Sequence, residues 1–135
     1  GEELDVFMSY CWANKEAVKA LHHSLEEAGL KVWRDEAQMS GGCSLFASID
    51  AGIRRCKVFL ALMSSAYVVS VNCGREFALA SDLGRLVIPV LLEPMQWPPA
   101  GTFGPLLAGK LYVPCHEHSD KDTVCKLIDA VRCAL

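Results

Sequence analysis

The sequence predicts an α/β fold: a flavodoxin-like three-layer sandwich around a five-stranded parallel sheet in the order 2-1-3-4-5. Short apolar runs alternate with longer segments of helical period, which is typical of βαβ units. The run over residues 57–64 is apolar on both faces, as expected for a central parallel strand. Because crossovers between parallel strands are right-handed, these elements favour the strand order given above.

The first part of the chain contains two predicted strands with one predicted helix between them. Residues 5–10 form the first strand, and residues 31–35 form a short second strand. A helix is predicted over residues 15–28 because its apolar side chains recur on one face. Asn14 is the predicted N-cap of this helix, and Gly29 is predicted to end it.

The middle of the chain is predicted to supply the central strand and a helix on each side of it. A polar loop over residues 36–44, which contains Gly41 and Gly42, leads into the first of these helices. The third strand covers residues 57–64, and a short connection then leads to a helix over residues 72–83.

The last part of the chain is predicted to add two strands and a final helix. The fourth strand covers residues 86–92 and includes Pro89, which removes one donor from the ladder. A connection rich in proline and glycine follows, with one short turn at residues 103–107. A short edge strand over residues 110–114 precedes an amphipathic helix over residues 121–134.

Length and composition favour one soluble domain. The chain has 135 residues, of which 52% are hydrophobic, so it can build a core without disulfide bonds. No segment is long and apolar enough to span a membrane, and residues 1–5 lack the features of a signal peptide. The chain begins without Met, so we expect a single domain over residues 1–135 that has been cut from a longer multidomain protein.

The net charge and the cysteine content indicate which classes of partner and which cellular compartment to expect. The net charge of -3 argues against nucleic-acid binding, which requires a basic surface to neutralise phosphates. The seven cysteines include no CxxC pair, and several lie inside apolar patterns. We therefore expect reduced thiols, a cytoplasmic location and no membrane contact by this domain.

Three common kinds of phosphate or metal site are not supported by the sequence. A receiver-type phosphoacceptor domain needs an acidic cluster after the third strand, and residues 63–65 offer none. Neither a Walker motif nor GxGxxG follows a strand. Residues 115–118, Cys-His-Glu-His, contain zinc-binding side chains, but they are adjacent on a predicted surface turn, so no metal site is expected.

Glu76 is the most informative residue. It is the lone carboxylate of residues 72–78, at the start of the helix that follows the most apolar strand. In an open α/β sheet such a helix begins at the edge where ligands bind. A carboxylate there can bind a sugar hydroxyl or stabilise a developing positive charge. Taken alone, however, Glu76 is better described as a solvated residue on a helix face, and only its context favours the functional role.

Four segments together resemble the Toll/interleukin-1 receptor (TIR) domain over essentially the whole chain. They are residues 5–10 (DVFMSY), residues 32–35 (VWRD) with a glycine-containing loop after them, the Cys73-x-x-Glu76 motif, and residues 87–92 (VIPVLL). The Ser-Tyr-Cys-Trp sequence at residues 9–12 and the loop after Asp35 are more similar to animal and prokaryotic-like TIR domains, such as those fused to STING, than to receptor tails.

The resemblance implies one of two functions. Some TIR domains are NAD+ glycohydrolases that also cyclise the product, and Glu76 stands at the position of their catalytic glutamate. Others are non-catalytic adaptors that act through TIR–TIR interactions, and these often lack a carboxylate there. The resemblance therefore favours an NAD+ glycohydrolase in innate-immune or cell-death signalling, with NAD+ as substrate and no additional cofactor.

The resemblance also implies a set of substrate-binding residues. Tyr10 and Trp12 at the exit of the first strand and Trp97 after the fourth are candidates for stacking on the rings of NAD+. For Trp97, a ring that only covers the sheet edge is equally expected.

Four polar residues complete the predicted binding set. Ser9, Asp35 and Gln38 are candidates for hydrogen bonds to the dinucleotide, and Cys73 belongs to the same pocket. For Asp35, a role in bracing its own loop is favoured.

Self-assembly is expected in both functional classes. The loop at residues 36–44 is too long for a tight turn, so it is predicted either to cover the Glu76 pocket or to dock on a neighbouring copy. Head-to-tail docking of this kind produces a homo-oligomer or an open filament. Gly41 and Gly42 are the predicted assembly residues, with simple turn geometry as the alternative.

Overall fold

The computed structural model describes residues 3–33, 45–101, 103–117 and 120–135. Four residues of the predicted site, Asp35, Gln38, Gly41 and Gly42, lie outside this part of the chain.

The centre of the domain is a parallel sheet. Within the described residues it has four strands, in the order β1-β2-β3-β4. The strands are β1 (Leu4–Ser9), β2 (Cys56–Met63), β3 (Leu86–Leu91) and β4 (Val113–Pro114). All three strand pairs are parallel, which confirms the α/β class and the order predicted for these strands.

The second predicted strand, residues 31–35, is described only over residues 31–33. In the described part of the chain, this segment makes only an isolated parallel bridge between Val6 and Val32. Val6 also pairs with Val58, so Val32 lies on the outer side of β1, the edge position that the order 2-1-3-4-5 requires. The ladder does not extend toward the chain start because the Lys31 N–H donates to the Asp5 carboxylate, at 2.8 Å.

Six α-helices of the described chain surround the sheet, and a single 3₁₀ turn, Trp12–Asn14, precedes the first. They are α1 (Lys15–Glu27), α2 (Leu45–Arg55), α3 (Ser65–Val68), α4 (Val71–Asp82), α5 (Phe103–Leu107) and α6 (Lys121–Ala134). The short turn at α5 and the final helix have the predicted bounds, whereas α3 was not predicted.

Two apolar clusters, one on each face of the sheet, make the domain a three-layer sandwich. One cluster packs α1 and α6 against the sheet, and the other packs the four helices α2, α3, α4 and α5 against its opposite face. Consecutive residues of β1 divide between them, because side chains alternate along a strand. Val6 and Met8 pack against α1 and α6, while Phe7 lies on the opposite face, which is covered by α4, the helix that carries Glu76.

Pro89 does not interrupt the described pairing of β3. Pro89 lies inside β3, where its nitrogen faces away from β2, since the N–H of Leu92 donates to Met63 on that side. β4 pairs only from Val90 onward, so the proline costs no described ladder bond.

Asn14 precedes α1 as predicted, but its side chain makes no capping hydrogen bond and instead accepts one from the Ser64 hydroxyl at 2.7 Å.

Among the helices in the described ranges, none combines the length and apolar character that crossing a bilayer requires.

Candidate active site

Glu76 lies in the second turn of α4, beside the carboxyl edge of the sheet. The Ser70 side chain caps α4 by accepting a hydrogen bond from the Cys73 N–H at 3.2 Å. The next residue, Phe77, is buried and makes edge contacts with Phe59, at 6.2 Å between ring centroids, and with Phe103, at 5.2 Å. These two anchors fix the helix, so the position of Glu76 follows from the N-cap and from aromatic packing.

The Glu76 carboxylate is held by a hydroxyl group from the first strand. The Ser9 hydroxyl donates to Oε1 of Glu76 at 2.7 Å. Ser9 is fully buried, and it follows Phe7 by two positions, so its side chain points to the face covered by α4. Ser9 was predicted to bind the dinucleotide; in the structure its side chain contacts Glu76.

Tyr67 extends this contact into the core. Its hydroxyl lies 2.9 Å from the Ser9 hydroxyl, and the side chain is fully buried. Burial raises the pKa of Tyr67 well above its ordinary value, and the nearby Cys73 and Glu76 add to this rise, while the bond to Ser9 opposes it. The phenol therefore keeps its proton and remains available as a donor.

Glu76 faces a cavity of about 350 Å³ beside α4. The cavity is bounded by the exit of β1, by α2 and by the first turns of α4. Three predicted site residues besides Glu76 lie in its wall: Tyr10, Trp12 and Cys73. The rest of the described wall was not predicted, and it consists of Cys11, Ile49, Asp50, Ser70, Asn72, Arg75 and Leu79.

Trp12 and Tyr10 stand between this cavity and a second one. The indole of Trp12 is 49% exposed, and the Lys15 ammonium lies 4.7 Å from its ring centroid. Both aromatic residues also line a cavity of about 400 Å³ against α1, whose wall includes Lys15 and Lys19. An exposed indole at the mouth of a cavity can stack on a planar ligand.

Cys73 contributes a neutral group to the pocket. Its side chain is 3% exposed, and burial raises its pKa to about 11, with a further rise from the charge of Glu76 and an opposing effect of the hydrogen bond to Ser70. A thiol with this pKa carries very little thiolate at neutral pH. Cys73 therefore does not supply a thiolate nucleophile to the cavity.

Trp97 lies elsewhere. Its indole N–H donates to the Lys110 carbonyl at 3.1 Å, and its ring centroid is 4.8 Å from that of Tyr112. Within the described residues it is not part of the Glu76 cavity wall. This is the sheet-edge arrangement that the sequence left open for Trp97, and its predicted contact with the substrate stays a prediction.

The residues considered for zinc do not face a common point in the part that is described. Cys115 is buried in the core cluster of α1 and α6, and burial raises its pKa to about 11, whereas His116 and Glu117 are exposed. His118 lies outside the described residues.

Asp50 is the most consequential residue that sequence reasoning missed. It lies on α2, lines the cavity that holds Glu76, and forms an ion pair with Arg54 at 2.9 Å. The sequence offers no signal for its direction, because the side of α2 that meets the cavity depends on how that helix packs against α4. Tyr67 was missed because the four-residue helix that carries it is too short to show a period.

Curated relatives of this chain include two bacterial proteins and one plant protein. The NAD(+) hydrolase PdTIR of Paracoccus denitrificans is 29% identical over 133 residues, which are 95% of this chain and 44% of the relative. The 2' cyclic ADP-D-ribose synthase AbTIR of Acinetobacter baumannii is 34% identical over 93 residues, 65% of this chain and 35% of the relative. A probable 2' cyclic ADP-D-ribose synthase of Brachypodium distachyon, BdTIR, is 32% identical over 75 residues, 56% of this chain and 34% of the relative. This chain spans less than half the length of each.

Solved structures share the fold at low sequence identity. The TIR domain of the Toll-related receptor TRR-2 from Hydra magnipapillata superposes with a TM-score of 0.74 at 20% identity, covering 96% of this chain and 98% of that one. The CMP N-glycosidase BcmB of Clostridium botulinum gives 0.62 at 22% identity, with 91% and 97% covered. The TIR domains of the activated Roq1 resistosome give 0.59 at 19% identity, with 98% and 83% covered.

The family model for the TIR domain matches residues 6–128, which is nearly the whole chain. The parallel sheet, the helix that presents Glu76 beside a cavity, and this match lead to one conclusion: the chain belongs to the TIR domain family.

Proposed function

We propose that this domain is an NAD+ glycohydrolase that releases nicotinamide and forms ADP-ribose or a cyclic ADP-ribose, with Glu76 as its catalytic residue. The observation that carries the proposal is the Glu76 carboxylate, fixed at 2.7 Å from the Ser9 hydroxyl and facing a cavity of about 350 Å³. The names of the relatives, an NAD(+) hydrolase and 2' cyclic ADP-D-ribose synthases, support the same substrate.

A single carboxylate is sufficient for this reaction because of the leaving group. Most glycosidases use two carboxyl groups, one of which protonates a poor alkoxide leaving group. In NAD+ the bond between the ribose carbon and the pyridinium nitrogen breaks with both electrons moving to nitrogen, so nicotinamide leaves as a neutral molecule. No general acid is required. Glu76 stabilises the positive charge that develops on the ribose.

The second half of the reaction sets the product. Water attacks the ribose carbon through its oxygen and loses a proton to solvent, which gives ADP-ribose. A hydroxyl group of the same dinucleotide that attacks in place of water gives a cyclic product and loses its proton in the same way. Which nucleophile reaches the carbon first depends on how completely water is excluded from the cavity.

The size of the cavity indicates which end of the dinucleotide it takes. About 350 Å³ is near the lower end of the ~300–1,000 Å³ usual for ligand pockets. We therefore place the nicotinamide ribose beside Glu76, with Tyr10 and Trp12 available to stack on a planar ring. The adenosine end extends beyond the described wall.

Self-assembly is part of the proposal. The loop at residues 36–44 is predicted either to cover the Glu76 pocket or to dock on a neighbouring copy. Clustering by regions outside this chain would raise the effective concentration to the ~mM range typical of short tethers. Specific activity should therefore rise with protein concentration.

The experiment follows nicotinamide release from NAD+ across a series of protein concentrations, with the nucleotide products separated by chromatography. We expect activity in the wild type that increases more than in proportion to protein and is abolished in Glu76→Ala. Glu16→Ala is the matched control, because Glu16 is an exposed glutamate on α1 whose carboxylate lies 4.0 Å from the Lys19 ammonium. It should retain wild-type activity.

Two results separate the proposal from its rival. If wild type and Glu76→Ala remain equally inactive at the highest concentration, the domain is a non-catalytic adaptor. If activity is strictly proportional to protein concentration from the lowest concentration upward, the proposed enzymatic activity is confirmed but its activation by assembly is wrong.

A further inference from the structure

Two buried hydroxyl groups lie behind Glu76. Ser9 and Tyr67 are both fully buried, and neither lines the described wall of the Glu76 cavity. They come from different elements, the carboxyl end of β1 and the short helix α3, and are separated by 58 residues in the chain. Because buried polar groups require hydrogen-bond partners, their contacts are part of the fold. Here those contacts form a chain that ends on a carboxylate.

The number of protons fixes the direction of this chain. An ionised carboxylate can only accept, so the bond of 2.7 Å uses the single hydroxyl proton of Ser9. The Ser9 oxygen must then act as acceptor in its contact of 2.9 Å with Tyr67, which makes the Tyr67 hydroxyl the donor. The elevated pKa of Tyr67, caused mainly by burial, keeps that donor protonated. The order is therefore Tyr67 to Ser9 to Glu76.

We propose that Ser9 and Tyr67 are positioning residues that hold the Glu76 carboxylate for catalysis, and that the Ser9 hydroxyl serves this carboxylate instead of the dinucleotide. The inference rests on the proposed function, since it names the residues that prepare the same site. Ser9 has 0% exposed surface and has already used its proton, so it has none to offer a substrate.

A fixed carboxylate matters because electrostatic stabilisation works best when the charged group does not have to reorient during the reaction. Ser9 ties Oε1 to the sheet, and Tyr67 restricts the rotation of the Ser9 hydroxyl, since an accepted bond and a donated bond must both be satisfied. Losing a hydrogen bond to a charged group corresponds to about a 10- to 100-fold change in an equilibrium or rate constant, and losing one between neutral groups corresponds to about a two- to tenfold change.

The rival explanation is that the two hydroxyls only satisfy each other in the core. In that case their removal would lower the melting temperature and leave the turnover of folded protein unchanged. The two explanations also differ in how the effects combine. If Tyr67 acts through Ser9, removing the Tyr67 hydroxyl has no further effect once Ser9 is alanine.

The first test is a double-mutant cycle on nicotinamide release, with Ser9→Ala, Tyr67→Phe and the double variant. We expect kcat to fall about 10- to 100-fold for Ser9→Ala and about two- to tenfold for Tyr67→Phe, with KM changed less than about twofold in both. The double variant should match Ser9→Ala. Ser24→Ala is the control, since the Ser24 hydroxyl donates to the Ala20 carbonyl within α1, at 3.1 Å, and should leave kcat unchanged.

The second test does not depend on activity. With glutamate labelled by ¹³C at its side-chain carboxyl carbon, the Glu76 resonance is identified by its absence in Glu76→Gln. We expect this resonance to shift in Ser9→Ala, to shift less in Tyr67→Phe, and to be unchanged in Ser24→Ala. If the wild type releases no nicotinamide, the proposed function is wrong. This measurement then still decides whether the hydrogen bonds from Tyr67 through Ser9 extend to Glu76.

Two results would overturn the inference. One is a Glu76 resonance that is identical in wild type and Ser9→Ala. The other is an active enzyme in which both single variants keep wild-type kcat, or in which their losses multiply in the double variant. Tyr67→Phe removes a single oxygen and keeps the ring packing against Phe103, so it remains informative even if Ser9→Ala folds poorly.

Discussion

Two helical glycines near the cavity should respond to alanine in opposite directions. Gly74 lies on α4 two residues before Glu76, and a Cβ built on it meets no atom within 4 Å. Gly52 lies on α2, and a Cβ there would be 2.7 Å from Cδ1 and Nε1 of Trp33. Alanine is favoured over glycine inside helices, so the same substitution gains helix propensity at both sites but meets an obstacle at one.

The magnitudes follow from these surroundings. For Gly74→Ala we expect a gain of about 0.5–1 kcal/mol in the free energy of unfolding. For Gly52→Ala the same gain is opposed by overpacking, which costs about 1–3 kcal/mol. The Trp33 ring cannot retreat easily, because it stacks on Phe7 with 4.8 Å between centroids. The clash should therefore win, leaving Gly52→Ala about 1 kcal/mol less stable than wild type.

The assay is urea unfolding followed by tryptophan fluorescence and circular dichroism. We expect the two variants to differ by about 1.5–2 kcal/mol, which corresponds to roughly 4–10 °C in melting temperature for a domain of this size. Adding Trp33→Leu should remove the penalty of Gly52→Ala, because the smaller side chain leaves room for the new methyl group.

One outcome would refute the reasoning. If Gly52→Ala stabilises the domain as much as Gly74→Ala does, Trp33 does not pack against α2. The position of the α2 wall of the cavity, which carries Asp50, would then be wrong as well.

Two further predictions concern α4 itself. Ser70→Ala removes the side chain that caps α4 through the Cys73 N–H, so we expect the free energy of unfolding, measured by denaturant titration, to fall by about 1 kcal/mol. Ser70→Asp can still cap the helix and should recover most of this loss. Equal stability of Ser70→Ala and wild type would contradict the capping. Burial raises the pKa of Cys73 from its ordinary value of 9.0 to about 11, which leaves about 100-fold less thiolate at neutral pH. We therefore expect iodoacetamide, followed by mass spectrometry, to label exposed Cys125 and Cys133 well before Cys73 in the native protein, and labelling of Cys73 at an equal rate would contradict the buried neutral thiol.

Long apolar and amphipathic segments were predictable from the sequence. The final helix, α6, has the predicted bounds because its apolar residues keep a helical period over 14 residues and Asp120 supplies a clear N-cap. The placement of β2 at the centre was equally predictable, since both of its faces are apolar and both are buried.

Features that depend on tertiary contacts were not predictable. The helix α3 has no detectable period, yet it places the Tyr67 hydroxyl 2.9 Å from that of Ser9. The contact between Ser9 and Glu76 was not predicted, because the sequence does not show that α4 brings Glu76 within 2.7 Å of the Ser9 hydroxyl. Asp50 faces the cavity only because of how α2 packs, and helical periodicity alone does not give that direction.

The measurement that tests the central claim most directly is nicotinamide release by Glu76→Gln, compared with wild type and with Glu16→Gln at the same high protein concentration. Glutamine keeps the size of the side chain and can still accept the Ser9 hydrogen bond, so the fold and melting temperature should be preserved. It removes the negative charge that, in the proposed mechanism, stabilises the ribosyl cation, so we predict a fall in kcat of about 100-fold or more. Glu16→Gln should behave as wild type. If Glu76→Gln instead keeps wild-type kcat in a folded protein, the charge of Glu76 does not carry the reaction and the account is contradicted.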